Sequence, residues 1–204
     1  EVGDHRIFIF VLNRSVQYCT LCFMGRPKGF SREQVLDKAI QVFWKKGFAD
    51  TSLHDLEKAT GVNKSGLYAE FADKDEIFIE SLRRYAQTVE FLNILEQKPL
   101  GLKNLETFLL AGSEGSGPKG CFFANSIREV SVIPTRAKPL IEYEISKIHT
   151  AILENLKALK LKKNRESVAK VIFTFRSGIC LSLNLGSDES LKEQVSEFLN
   201  ILCK

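Results

Sequence analysis

Residues 51–74 read Thr51-Ser-Leu-His-Asp-Leu-Glu-Lys-Ala-Thr-Gly61-Val-Asn63-Lys-Ser-Gly-Leu-Tyr-Ala-Glu-Phe-Ala-Asp73-Lys74. Thr51 or Ser52 can cap a helix whose inward positions are Leu53, Leu56 and Ala59. Gly61 ends that helix in a tight turn, Asn63 can cap a second, and Asp73 can cap a third that begins at Lys74. Two short helices joined by a glycine turn have the layout of a helix-turn-helix. In that layout the second helix enters the DNA major groove by its N-terminal end.

Outward from this stretch the apolar spacing stays helical. Ser31 and Gln34 form a capping-box pattern, and Val35, Leu36, Ala39, Ile40 and Phe43 follow at three- and four-residue intervals, predicting a helix that closes near Gly47. The helix from Lys74 is expected to be long, its inward face running Phe78, Leu82, Tyr85, Val89 and Leu92 until Pro99 and Gly101 break the pattern. Further helices are predicted over 102–111, 121–130, 139–161, 166–185 and 190–202. Nothing from Met24 onward alternates with the period of a strand. The expected fold is all-α: a three-helix helix-turn-helix DNA-binding domain with a basic N-terminal arm over 24–73, and a helical ligand-binding and dimerisation domain over 74–204.

Residues 1–23 read differently, with a β-prone run from Arg6 to Leu12 ahead of the sole methionine, Met24. They are expected to be a non-native or disordered N-terminal extension. An acidic start and no small-x-small cleavage site argue against a secretory signal. Cys19 and Cys22 form half of a zinc pattern without a second pair of ligands, so no metal is expected.

The net charge of +4 permits nucleic-acid binding without arguing for it. Five scattered cysteines are an odd count, and they suggest a reducing, cytoplasmic setting rather than a disulfide framework. No apolar run is long enough to span a bilayer, so no membrane partner is expected. The Gly/Ser-rich stretch 112–120 carries Pro118-Lys119 where a phosphate loop ends in Gly-Lys-Ser/Thr, and no strand precedes it; no nucleotide or other cofactor is expected. Cys121 with His149 lacks an orienting carboxylate or an oxyanion-hole pattern, so an enzyme is not expected.

Gly47-Phe48, Thr51-Ser52, Asp55-Leu56, Gly61-Val62, Leu67-Tyr68, Phe71 and Lys74 followed by acidic residues together resemble the TetR family of bacterial transcriptional regulators, in its AcrR-like form. The match is strongest over the first third after Met24. Glu57 and Thr60 depart from the small alanine common there, and Ser65-Gly66 replaces the usual Gly followed by a small residue.

The resemblance implies a repressor that binds a palindromic double-stranded DNA operator as a homodimer and is released by a small hydrophobic or aromatic effector. Lys64, Ser65 and Gly66 lie at the leading end of the second helix of the motif, where base and phosphate contacts are made. Tyr68 is a phosphate candidate, its family counterpart using the phenol that way. Lys74 offers its side chain and the free N–H groups of a helix start to a phosphate. Thr51 and Ser52 do likewise, although capping alone explains one of them. His54 suits a base or phosphate contact as well as it suits a plain exposed histidine. Arg26 and Lys28, with Arg32, form the basic arm.

In the body, Phe91, Phe108, Cys121, Phe122, Phe123, Asn125, Ile145, His149 and Phe175 are candidate effector-pocket residues, with plain core packing as the alternative for each. The two C-terminal helices are the candidate dimer surface: Ile172, Phe173, Phe175, Ile179, Leu181 and Leu183 exceed what one buried face needs, and Val195, Phe198, Leu199 and Leu202 form a facing stripe. Cys121, near Lys119 and a helix start, is the alternative sensor, a thiol-based redox or electrophile switch.

Overall fold

The computed structural model describes residues 29–113, 120–161, 164–186 and 189–203. Arg26, Lys28, the Cys19/Cys22 pair, the 1–23 extension and Pro118-Lys119 lie outside the described residues. Among the described residues the regular structure is entirely helical: α1 (Arg32–Lys46), α2 (Leu53–Thr60), α3 (Lys64–Glu70), α4 (Lys74–Thr88), α5 (Phe91–Glu96), α6 (Leu102–Leu110), α7 (Phe122–Arg128), α8 (Ala137–Ala158), α9 (Arg165–Leu183) and α10 (Leu191–Cys203). The stretch from Arg32 onward is one compact unit.

The first helices form where local chemistry says they should. Val35, Leu36, Ala39, Ile40 and Phe43 line the buried stripe of α1, which packs along α4 and against α2. Phe43 and Phe48 meet Phe78 at ring separations of 5.2 and 4.9 Å, and Leu56, Leu67 and Phe71 close the small core beneath α2 and α3. Arg32 belongs to α1 rather than to a free arm. Its guanidinium donates to the Glu70 carbonyl, lies 4.1 Å from the centroid of the Phe71 ring and comes within 3.7 and 3.8 Å of Glu76 and Glu80.

α4 is shorter than its apolar spacing predicts. It stops at Thr88, whose hydroxyl donates back to the carbonyls of Arg84 and Tyr85 at 3.1 and 3.3 Å, and Val89 is extended. Two adjacent β-branched residues, one of them competing for backbone carbonyls, end a helix readily. The chain turns there, and α5 starts afresh at Phe91.

The body packs α5, α6, α8, α9 and α10 around a core that includes Leu95, Leu105, Leu109, Ile152, Leu156 and Ala169. The Asn155 amide is buried in it. It donates to the Leu95 and Ala151 carbonyls at 2.7 and 2.9 Å and accepts the Gly101 N–H at 2.8 Å, tying the α5–α6 connection to α8. Ile172, Ile179, Leu183, Val195 and Leu199 also lie in this core. They are not surplus surface: α6 packs on α10 and occupies the stripe expected to face a second copy. Val171, Leu181 and Ile201 are the large apolar residues of α9 and α10 left exposed.

Candidate nucleic-acid interface and effector cavity

The α2–α3 unit is built almost wholly from local hydrogen bonds. Ser52 caps α2, its hydroxyl accepting the Asp55 N–H at 3.1 Å while the Asp55 carboxylate accepts the Ser52 N–H at 2.9 Å. Lys46, at the end of α1, reaches the same carboxylate at 2.5 Å. The Lys46 ammonium first, then Ser52, hold the Asp55 carboxyl well below the usual carboxylate range. Gly61 ends α2 with φ at 75°, a left-handed conformation that a residue with a Cβ resists. The Asn63 side chain then accepts the Gly66 N–H at 2.8 Å, capping α3. Glu57 adds a contact that spacing does not announce: its carboxylate accepts the Lys64 N–H, a free donor of the first turn of α3.

Ser52, His54, Lys64, Ser65 and Tyr68 are all exposed on α2, its cap and α3, and Gly66 is half-buried. Tyr68 is 44% exposed, and the Lys64 ammonium lies 5.7 Å from the centroid of its ring. Two of the candidates are placed otherwise. Thr51 is 1% exposed and its hydroxyl donates to the Gly47 carbonyl at 2.6 Å. Lys74 turns its ammonium back onto the α1–α2 corner, donating to the Phe48 and Thr51 carbonyls at 3.0 and 2.9 Å and lying 4.3 Å from the centroid of the Phe48 ring. Both side chains hold the corner that carries α2, because those buried carbonyls need donors.

The body holds a cavity of about 220 Å³ between α4, α5, α6, α7, α8 and α9. Phe91, Phe108, Cys121, Phe123 and Ile145 line it, as the sequence suggests. Phe122, Asn125, His149 and Phe175 do not. Phe122 points the other way, to Trp44, Phe78 and Tyr85 at 6.0, 5.9 and 5.6 Å. Asn125 bonds Asn184 at 3.0 Å, His149 faces Glu166 at 3.5 Å, and Phe175 stacks on Phe198 at 3.9 Å. Adjacent residues on a helix point about 100° apart, and here Phe123 turns to the cavity while Phe122 turns to the aromatic cluster of α1 and α4.

Spacing also missed Arg176 and Ser177, polar groups in the cavity wall. The signal for Arg176 was available, since it is the single charge between Val171 and Leu185. Cys180 lies against Arg176, and burial pushes its thiol up to about 11. Burial, then the neighbouring Cys121, likewise raise the Tyr85 phenol. The described residues contain no His/Cys/Asp/Glu cluster able to hold a metal ion, and no helix among them is long and apolar enough to cross a membrane.

Helix α7 touches both regions. Its Phe123, Ala124, Ile127 and Arg128 line the cavity, whereas Phe122 and, just beyond the helix, Glu129 meet α1 and its corner.

Comparison with known proteins agrees with this architecture. Residues 35–80, which run from α1 into α4, match the family model described as bacterial regulatory proteins, tetR family. The HTH-type transcriptional repressor ComR of Escherichia coli K12 is 36% identical over 120 residues, covering 55% of this chain and 57% of that protein. The HTH-type transcriptional repressor BdcR of the same strain is 31% identical over 109 residues, covering 50% and 55%. The chain thus spans little more than half the length of these curated relatives. Among solved structures, a cysteine variant of the TetR family transcriptional regulator CifR, complexed with 26-bp double-strand operator DNA, shares the fold with a TM-score of 0.76 at 21% identity, covering 87% of this chain and 100% of that one. Over residues 35–80 the chain thus resembles the tetR family of bacterial regulatory proteins, and its all-helical fold is shared with a solved regulator of that family.

Proposed function

We propose that this chain is a homodimeric transcriptional repressor that binds a two-fold symmetric DNA operator and leaves it when a small effector enters the α4–α9 cavity. The observation that carries the reading is the exposed set Lys64, Ser65 and Tyr68 on the leading turns of α3, a helix capped by Asn63 after a left-handed Gly61. In the major groove, Lys64 would reach guanine O6 or N7 or a phosphate, and Tyr68 a phosphate oxygen. Ser52, the cap of α2, and His54 within it are exposed as well. The relatives named as repressors and the operator complex of CifR support the direction of this reading. A pair of α3 helices about 34 Å apart, or a multiple of it, would read two half-sites.

Release follows from the position of α7 in this proposal. A ligand that shifts Phe123 and Ile127 also shifts Phe122 and Glu129, and through them the corner that carries α2. A coupling of about 1–3 kcal/mol is enough for a 5–150-fold change in operator affinity. Selection of bound fragments from a random DNA library, followed by anisotropy titration at several salt concentrations, tests the function. A recovered two-fold symmetric site bound by a dimer supports it; a monomer that enriches no sequence overturns it.

A second reading, a thiol switch on the same scaffold, draws on Cys121 standing half-buried in the cavity wall beside Tyr85. Loss of operator binding on alkylation of Cys121 favours it, and an unchanged response in Cys121→Ser eliminates it.

A further inference from the structure

The cavity wall contains a positive charge with no counter-charge. Arg176, in the middle of α9, is 4% exposed. One terminal nitrogen donates to the Ala111 carbonyl at 2.7 Å and the other to the Cys180 sulfur at 2.9 Å. The buried Nε–H has no acceptor. The rings of Phe91 and Phe108 lie 5.2 and 5.6 Å from the guanidinium carbon, attracting the cation without neutralising it. None of the ion pairs among the described residues includes Arg176.

Three neighbours able to carry negative charge do not supply it. The Glu144 carboxylate, also in the wall, is held by Lys147 at 2.6 Å. The Cys180 thiol and the Tyr85 phenol are both raised by burial and stay neutral near pH 7. A guanidinium does not escape the cost of burial by losing its proton. A buried, unpaired charge with a free N–H in a cavity wall therefore calls for an anion from outside. The planar fork of N–H groups suits a carboxylate. Apart from Arg128, Glu144 and Ser177 the wall is largely apolar and aromatic, with Phe123, Ile145, Ile148 and Phe173 beside the two rings already named. A 150 Å³ apolar cavity accepts benzene, so about 220 Å³ leaves room for one ring and a short acidic group.

We propose that the ligand of this cavity is a small carboxylate with an apolar, ring-sized body, its anionic end held by Arg176. The inference rests on reading the cavity as the effector site, and it names the chemical class that site accepts.

The test is calorimetric titration of the full, DNA-free chain with matched acid and amide pairs: benzoate and benzamide, phenylacetate and phenylacetamide, cinnamate and cinnamamide. At least one acid should saturate the protein with a Kd about tenfold or more below that of its amide, and Arg176→Met should abolish the difference. The acid–amide contrast is read on the unaltered protein, so it holds even where the variant folds poorly. Amides that bind as well as their acids overturn the proposal, as does failure of every acid to saturate below about 10 mM. Because DNA is absent, a chain that prefers acids yet ignores every DNA sequence keeps this inference and loses the regulatory one. Operator binding without acid preference does the reverse.

Discussion

The carboxylate of Glu129, one residue past α7, accepts the backbone N–H of Phe48 at the corner between α1 and α2, across 81 residues of sequence. The same carboxylate packs so tightly on Gly47 that a Cβ there would fall 2.4 Å from Oε1. Gly47 also has a φ of 84°. The corner that sets the angle of α2 is therefore gripped by the helix that forms one wall of the cavity, and Phe122 adds contacts with Trp44, Phe78 and Tyr85.

Glu129→Ala should leave the Phe48 N–H without its charged acceptor and lower stability by about 1–3 kcal/mol in urea unfolding. It should also shrink the ligand-induced change in operator affinity, measured by anisotropy with and without effector. An unchanged ligand response would remove this contact from the coupling path.

Two glycine substitutions separate backbone strain from collision. Gly61→Ala meets nothing within 4 Å and should cost only the left-handed conformation, about 1–2 kcal/mol. Gly47→Ala should cost more, because the Glu129 carboxylate must move as well. In a Glu129→Ala background that excess should disappear, so a double-mutant cycle reads the collision directly.

Thr51→Val and Lys74→Met should reduce stability by about 1 kcal/mol each while leaving the salt dependence of DNA binding unchanged, since both side chains hold the corner. Lys64→Ala should lower the slope of log affinity against log salt by about 0.9 where it meets a phosphate, and relax sequence preference where it meets a base. Titrations at four or more salt concentrations distinguish the two groups of residues.

Asn155→Leu removes three hydrogen bonds, two of them buried, that join Gly101, Leu95 and Ala151. The Gly101 N–H loses its acceptor and the Leu95 carbonyl its shorter donor, which should cost about 1–3 kcal/mol, seen as a lower urea midpoint with an unchanged slope.

Stability should fall on the alkaline side through Cys180. Its thiol is raised from 9.0 to about 11 in the folded chain. Below pH 9 the group is neutral in both states and its contribution is complete. As pH rises from 9 towards 11, the unfolded chain ionises while the native one does not, and roughly 2–3 kcal/mol is lost. Cys180→Ala should flatten that part of the stability profile, and iodoacetamide should leave Cys180 unmodified in the native protein near pH 7.

What the sequence determined alone was whatever depends on residues within a turn of one another. Ser52, Asn63 and Asp73 cap their helices, Gly61 makes its turn, and the apolar stripes of α1, α8, α9 and α10 fall within a few residues of their spacing. Caps and periodicity are local, so they are legible one segment at a time. Which way a side chain is spent is not local. Thr51 and Lys74 look like surface groups until the corner folds over them, and the inner stripe of α10 looks unpartnered until α6 covers it. Arg176 reads as a stray charge until the Ala111 carbonyl, 65 residues away, and two phenylalanine rings enclose it. Only the tertiary structure decided these, because burial and hydrogen-bond partners are set by contacts distant in the chain, and an unmet charge becomes visible only once every neighbour is in place.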